Sequence, residues 1–361
     1  MKLPELDKKR LNLAKHCIVV NDTPLCKFYG EKYGRKIGIK VFDLDTIKKP
    51  EDFLTAKWGD DPVKGKPRKN TTIWEATQIQ NILAMNELAT RIYGLETVSV
   101  GDKLCPAQII EWIESEEETT IEMAEEVYRK AVKLGEKYGF GIEHEDVSDK
   151  DVIGGKLVDT QTFAFTKPYA QTVEEIYNKQ GKYGVVYYQD VPELGLASGP
   201  RKSLDRIKYL GLEQVDFKGK IVLDFGSAGG FFSRYADNHG AMRVLGIDLE
   251  APVEAAQHMA NYLGNWNIDY RFIDINKAGK NLMELIKCHR GPDIAFFLSM
   301  NYHVGLPEWL SGFNTVIFED NGKESRKSDT LGKPWIDWYK DIKLVGHGKD
   351  HGDKPCYILN K

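Results

Sequence analysis

Apolar residues change their spacing along the chain, and the change divides it in two. In the second half, short apolar runs alternate with stretches of helical spacing. IVLDFG, VLGIDL, IDYRFIDI, DIAFFLSM, NTVIFED, IKLVGHG and CYILN read as strands, and helices are predicted from Phe231, from Ala255, from Leu282 and near Pro307. Buried strands punctuated by helices predict βαβ units and a doubly wound α/β sheet. The first half is less regular. CKFYGEKYGRKIGIKVFDLD predicts a hairpin with its turn at Gly30 to Gly34 and a second strand over residues 36–42. Residues 46–70 are rich in Lys, Pro, Gly and Asp and predict a loop. Thr72 is placed to cap a helix with Glu75 three residues on, and Ile73, Ile79, Ile82 and Leu83 recur at helical spacing. VSVGDKLCPAQIIEWIE predicts two strands about a Gly-Asp turn, and EEETTIEMAEEVYRKAVKLGEKYG an amphipathic helix closed by glycine. The expected domains are residues 1–168, a helical linker or substrate region at 169–215, and the α/β domain at 216–361.

Composition narrows the class. A chain of 361 residues with 42% hydrophobic and 29% charged positions has ample material for a core, and its length suggests two domains. The net charge of −4 carries no footprint of a general nucleic-acid binder. Five scattered cysteines without C-x-x-C spacing suggest neither a zinc site nor a disulfide framework, which fits a reducing, cytoplasmic setting. The amino terminus lacks a signal-peptide pattern, and no run of apolar residues is long enough to span a membrane.

The chemistry-bearing stretch is IVLDFGSAGGFFSRYADNHGAMRVLGIDLE. A strand runs into Asp224, Gly226, Ser227, Gly229 and Gly230 and then into a helix, and the next strand ends in Asp248. Glycines at such a turn allow close backbone approach to a ligand, and an acid at the second strand tip can grip both hydroxyls of a ribose. Asp274 follows a third strand. This order resembles the class I S-adenosylmethionine-dependent methyltransferases, which have a Rossmann-like sheet. The resemblance implies that Asp224 and the turn (Gly226, Ser227, Gly229) hold the amino-acid end of the cofactor. It further implies that Asp248 holds the ribose, that Asp274 and Ile275 meet adenine, and that Ser299 ends the fourth strand beside the methyl group. His303, after that strand, is either a general base for an acceptor oxygen or a residue that packs and orients its loop.

The segment directly after the fourth strand carries no N-P-P-Y, D-P-P-Y or Pro-Cys motif, which argues against amino-methylation of DNA bases and against cytosine C5 methylation. Glu319 and Asp320, with Asn321, suit a polyhydroxy or cationic small substrate better than a phosphate backbone. The expected acceptor is a small molecule or glycan, methylated on oxygen.

The first half carries a second pattern: Lys40 in the strand IGIKVF, Glu75 opening a helix, then HEDVSDKD and GGKLVDTQ. Its order is similar to the protein-kinase-like fold, so a smaller α+β kinase-like domain is expected before the methyltransferase sheet. The similarity implies a nucleotide site of Lys40, Glu75, Asp146, Asp151 and Asp159, with His144 opening the catalytic loop and Asp151 and Asp159 as magnesium ligands for ATP. Asp151 stands where an asparagine is usual, Thr160 and Gln161 replace Phe-Gly, and the phosphate loop has only Gly30 and Gly34. The alternatives to a lone methyltransferase are therefore a bifunctional kinase–methyltransferase and a pseudokinase-like scaffold fused to a methyltransferase domain.

Overall fold

The computed structural model describes residues 17–20, 24–42, 71–100, 103–116, 118–142, 149–160, 163–179, 189, 191–192, 202–275, 282, 292–320, 337–349 and 354–361. The chain divides into two compact units, Met1–Thr172 and Val173–Lys361. The loop expected at 46–70, the residues His144, Asp146, Gln161 and Asn321, and all but Leu282 of the helix expected there lie outside the described residues.

The first unit is built on an antiparallel sheet in the order β1-β2-β4-β3 (β1 Cys17–Val20, β2 Ile37–Phe42, β3 Ile92–Val100, β4 Lys103–Glu111). The segment expected to open a hairpin is instead the helix α1, Pro24–Tyr33. Leu25, Tyr29 and Tyr33 recur every fourth residue and are buried against Ile37, Ile39, Val41 and Tyr93, so helical burial overrides the glycine signal. Gly34, at φ 67°, closes this helix, and no phosphate-binding hairpin forms there. α2, Ile73–Met85, begins with the expected capping box: Thr72 Oγ1 accepts from the Glu75 N–H, and the Glu75 carboxylate accepts from the Thr72 N–H at 2.8 Å. α3, Ile121–Tyr138, ends on Gly139 in the left-handed region, as its sequence predicts. Beyond it come β5 (Phe140–Ile142), the pair β6 (Val152–Ile153) and β7 (Lys156–Leu157) about a Gly-Gly turn, β8 (Phe163–Phe165) and the helix α4, Tyr169–Asn178, in which the second unit begins at Val173.

The second unit follows the alternation read from sequence. After α5 (Ser203–Tyr209) come β9 (Ile221–Phe225), α6 (Phe231–Asn238), β10 (Arg243–Asp248), α7 (Glu250–Leu263), β11 (Ile268–Phe272), β12 (Ile294–Leu298), β13 (Thr315–Glu319), β14 (Asp341–Gly348) and β15 (Lys354–Asn360). α7 starts earlier than the expected Ala255, and the helix expected near Pro307 is one turn at Asn301–Val304 and a 3-10 segment at Glu308–Gly312.

The sheet order is β11-β10-β9-β12-β13-β15-β14. β9 to β13 are mutually parallel, and β15 runs antiparallel to both its neighbours. A dinucleotide-binding sheet has no such reversed strand in its usual order. Alternate residues of each central strand face opposite layers. Val222, Val244 and Phe296 pack toward α6 and α7, while Leu223, Phe225, Leu245 and Phe297 pack toward Leu310 and Phe313. Both faces are thus apolar, as a covered parallel sheet requires. The order reverses at β9 and β12, so the carboxyl ends of these strands open the crevice where ligands bind in such sheets.

Candidate active site

The turn from β9 to α6 is held from several directions. The N–H groups of Gly226 and Ser227 both donate to the Ile247 carbonyl, at 2.9 and 3.1 Å, and the Gly230 N–H closes onto the Ser227 carbonyl at 2.8 Å. Gly226 sits at φ 71°, and a Cβ there would collide with Met300 Sδ, so only glycine fits. Ser227 is buried, and its Oγ has no hydrogen-bond partner among the described residues.

Asp248 ends β10 with its carboxylate locked to this turn. One oxygen accepts from the Ala228 N–H at 2.7 Å and the other from the Leu249 N–H at 2.7 Å. Ala228, at φ 49°, is in the left-handed region, a conformation such a bond can hold. Burial raises the Asp248 pKa, opposed by these two N–H donors and by nearby His303. Each oxygen keeps a lone pair for a further donor such as a ribose hydroxyl. The Ile273 N–H donates to the Asp248 carbonyl at 3.0 Å, so Asp274 and Ile275, both half-buried just past the end of β11, follow directly beside the β10 tip.

Asp224 departs from its expected role. Its side chain is buried and turned under α6, where it accepts from Ser233 Oγ at 2.6 Å and from the Ser233 backbone. The carboxylate therefore caps the first turn of a helix whose own N-cap, Gly230, offers no side chain. In this arrangement it supports the turn from beneath. Burial pushes its pKa up to about 7, helped by the charge of Asp248 and opposed by the Ser233 bond and Arg206.

At the other side of the crevice, Ser299 leaves β12 at φ 60°. Its hydroxyl donates to Glu319 Oε2 and accepts from Lys354 Nζ at 3.4 Å, and Arg206 donates to the same Glu319 oxygen at 2.7 Å. Ser299 is thus engaged toward β13 and β15 at the end of the fourth parallel strand. Glu319 is fully buried, and Asp320 is buried with its carboxylate accepting from Asn301 at 2.7 Å. A buried carboxylate needs such partners, so neither acid is presented to a substrate in the way the sequence suggested. His303 is exposed on the turn Asn301–Val304 and lies close enough to Asp248 to affect its charge. The Arg206 contribution was not visible beforehand, because it comes from α5, far from the motif in sequence.

In the first unit, Lys40 Nζ and Asp159 Oδ2 stand 3.4 Å apart, with the lysine almost fully buried. Glu75 is not brought to Lys40 by any observed bond: its carboxylate closes the α2 cap instead. Asp151 ends the 3-10 turn Asp149–Asp151, where it accepts from Tyr128 at 3.4 Å, and its carbonyl accepts from the Val158 N–H at 2.8 Å, next to Asp159.

No family model matches the chain. Over 119 residues it is 30% identical to the ubiquinone biosynthesis O-methyltransferase of Coxiella burnetii, a match covering 33% of this chain and 47% of that protein. The chain therefore spans about half the length of the curated relatives that it matches. Among solved structures, the bifunctional kinase-methyltransferase WbdD is 21% identical with a TM-score of 0.41, covering 52% of this chain and 46% of that one. A SAM-dependent methyltransferase from Aquifex aeolicus is 17% identical with a TM-score of 0.30, covering 43% of this chain and 92% of that one. With its sheet order and glycine turn, the second unit is an α/β domain similar to those of S-adenosylmethionine-dependent methyltransferases.

The buried Asp224 gives a testable pH dependence. Its folded pKa of about 7 lies above the ordinary 3.8, so its contribution to stability is fully present below pH 3.8 and is lost as pH rises through 7. Asp224→Asn should remove a loss on the order of 2–4 kcal/mol between pH 4 and pH 8. Denaturant melts should show a shallower pH slope for the variant, and equal slopes would refute the assignment.

Proposed function

We propose that this chain is an S-adenosylmethionine-dependent methyltransferase, with the cofactor across the carboxyl ends of β9, β10 and β11 and the acceptor near the tip of β12. The observation that carries this reading is the Asp248 carboxylate, fixed by the Ala228 and Leu249 N–H groups beside a turn whose Gly226 lies in the left-handed region against Met300. Asp248 would take the ribose hydroxyls, the backbone of Gly226, Ser227 and Gly229 would approach the amino-acid end, and Asp274 with Ile275 would flank adenine. Asp224 acts one layer below, on the helix.

The bound cofactor supplies a methyl group on a sulfonium, ready for in-line displacement. This chain's own task is to hold an acceptor oxygen in that line. Exposed His303 would take the acceptor proton as the acceptor oxygen attacks. A hydroxyl of a small molecule or glycan fits this chemistry, and the similarity to the Coxiella O-methyltransferase supports oxygen as the atom.

Removing the Asp248 carboxylate costs two charge-assisted hydrogen bonds, each worth about 1.5–3 kcal/mol. Asp248→Ala should weaken S-adenosylmethionine binding tenfold or more by calorimetry, and unchanged affinity in a folded variant would sink this site. His303→Ala should lower kcat by about 10²–10⁴-fold with cofactor affinity nearly intact. A drop under about threefold would make His303 a packing residue.

A second reading is favoured by the ion pair of Lys40 and Asp159. A buried lysine opposite a carboxylate matches a nucleotide site in which the lysine meets phosphates and the carboxylate holds magnesium. The chain would then be a bifunctional kinase–methyltransferase. In that case ATP with magnesium should raise the melting temperature, and Lys40→Ala and Asp159→Ala should each abolish the rise while leaving S-adenosylmethionine binding unchanged. No shift up to millimolar ATP would leave the first unit a scaffold or substrate module.

A further inference from the structure

The glycine turn is also gripped by residues that belong to no part of its motif. Tyr177 and Gln189 precede the sheet in sequence, belong to the same compact unit, and are both buried. Tyr177 donates its phenolic hydrogen to the Gly229 carbonyl at 2.8 Å, and Arg234 donates to the same oxygen at 2.8 Å. Both acceptor positions of that carbonyl are then used, which fixes the plane of the peptide joining Gly229 to Gly230. Gln189 Oε1 accepts from the Phe231 N–H, the first donor of α6, at 3.1 Å.

This acceptor matters because Gly230 has no side chain to cap the helix, and a buried N–H left without a partner is costly. Space is equally tight. A Cβ at Gly229 would stand 3.0 Å from the Tyr177 hydroxyl and 3.4 Å from Gln189 Oε1. A side chain at this position would have to push against both of these groups. Within the turn, the N–H groups of Gly226, Ser227, Ala228, Gly230 and Phe231 are all engaged, and that of Gly229 meets no acceptor among the described residues. Among the described residues the Gly229 N–H is thus the donor of the turn without an acceptor, and Tyr177 and Gln189 set the peptides that follow it.

We propose that Tyr177 and Gln189 are positioning residues for the cofactor: they hold the Gly229 to Phe231 backbone in the pose that receives its amino-acid end. The proposal rests on the methyltransferase reading above. It is tested on the full chain with Tyr177→Phe, which removes only the hydroxyl, with Gln189→Leu, which removes the acceptor, and with Gln189→Glu, which keeps one.

Tyr177→Phe and Gln189→Leu should each raise the Kd for S-adenosylmethionine about tenfold and raise its KM, with kcat and the KM for the acceptor unchanged. Gln189→Glu should stay within about threefold of the parent protein. A residue that merely stabilises the fold would shift the melting temperature without this KM-against-kcat split. Affinities within twofold of the parent in both removing variants overturn the proposal, as does failure of both to fold, which would assign the contacts to the scaffold. If the parent protein itself binds no S-adenosylmethionine, the methyltransferase reading fails, and that outcome is distinct from a parent that binds and variants that bind equally well.

Discussion

The carboxylate of Asp248 is the point on which the second unit's open end depends. Its two oxygens each take one backbone N–H, from Ala228 and from Leu249, and so join the loop after β9 to the start of α7. Because β9 and β10 are already in register, with Ile247 beside Phe225, this side chain extends their pairing past the end of the strands. It holds Ala228 in a left-handed conformation that a non-glycine residue rarely adopts. The carboxylate is partly desolvated there, yet it retains acceptor capacity toward the crevice. One side chain thus serves the turn and stays available to a ligand.

The opposite side of the crevice is organised by a different economy of charge. Arg206 and Glu319 are nearly excluded from solvent, with Ser299 and Lys354 completing the cluster. The guanidinium also lies 4.8 Å from the Phe232 ring centre, so α5, α6 and the tip of β13 are fixed to one another through it. Such a network contributes position more than net stability, because desolvation offsets much of the Coulombic gain. Its effect is to set the backbone that leads from Ser299 to His303.

Sequence revealed much of the second unit because its strands are short, apolar and separated by helices, and because glycine and acid positions in the turn follow from local backbone demands. It was less informative where a partner came from afar. Nothing near Asp224 in sequence shows that Ser233 turns its carboxylate inward, and nothing near Gly229 points to Tyr177 or Gln189. Glu319 and Asp320 read as an exposed acidic pair until Arg206, Ser299 and Asn301 were placed against them. In the first unit the capping box of Thr72 and Glu75 was legible, and it engages the Glu75 carboxylate at the start of α2. The glycines around Gly30 suggested a hairpin, whereas the fourfold spacing of Leu25, Tyr29 and Tyr33 determined a helix.

The reversed strand has a consequence for the order of assembly. β15 follows every other strand in sequence but lies inside the sheet, between β13 and β14. During synthesis β14 emerges first, yet the strand it pairs with in the sheet is formed by residues 354–360, which leave the ribosome later. Until then β13 presents an unpaired flank, open to mispairing with another chain. The parallel core can condense early, but closure of this side of the domain must wait for the final strand to insert.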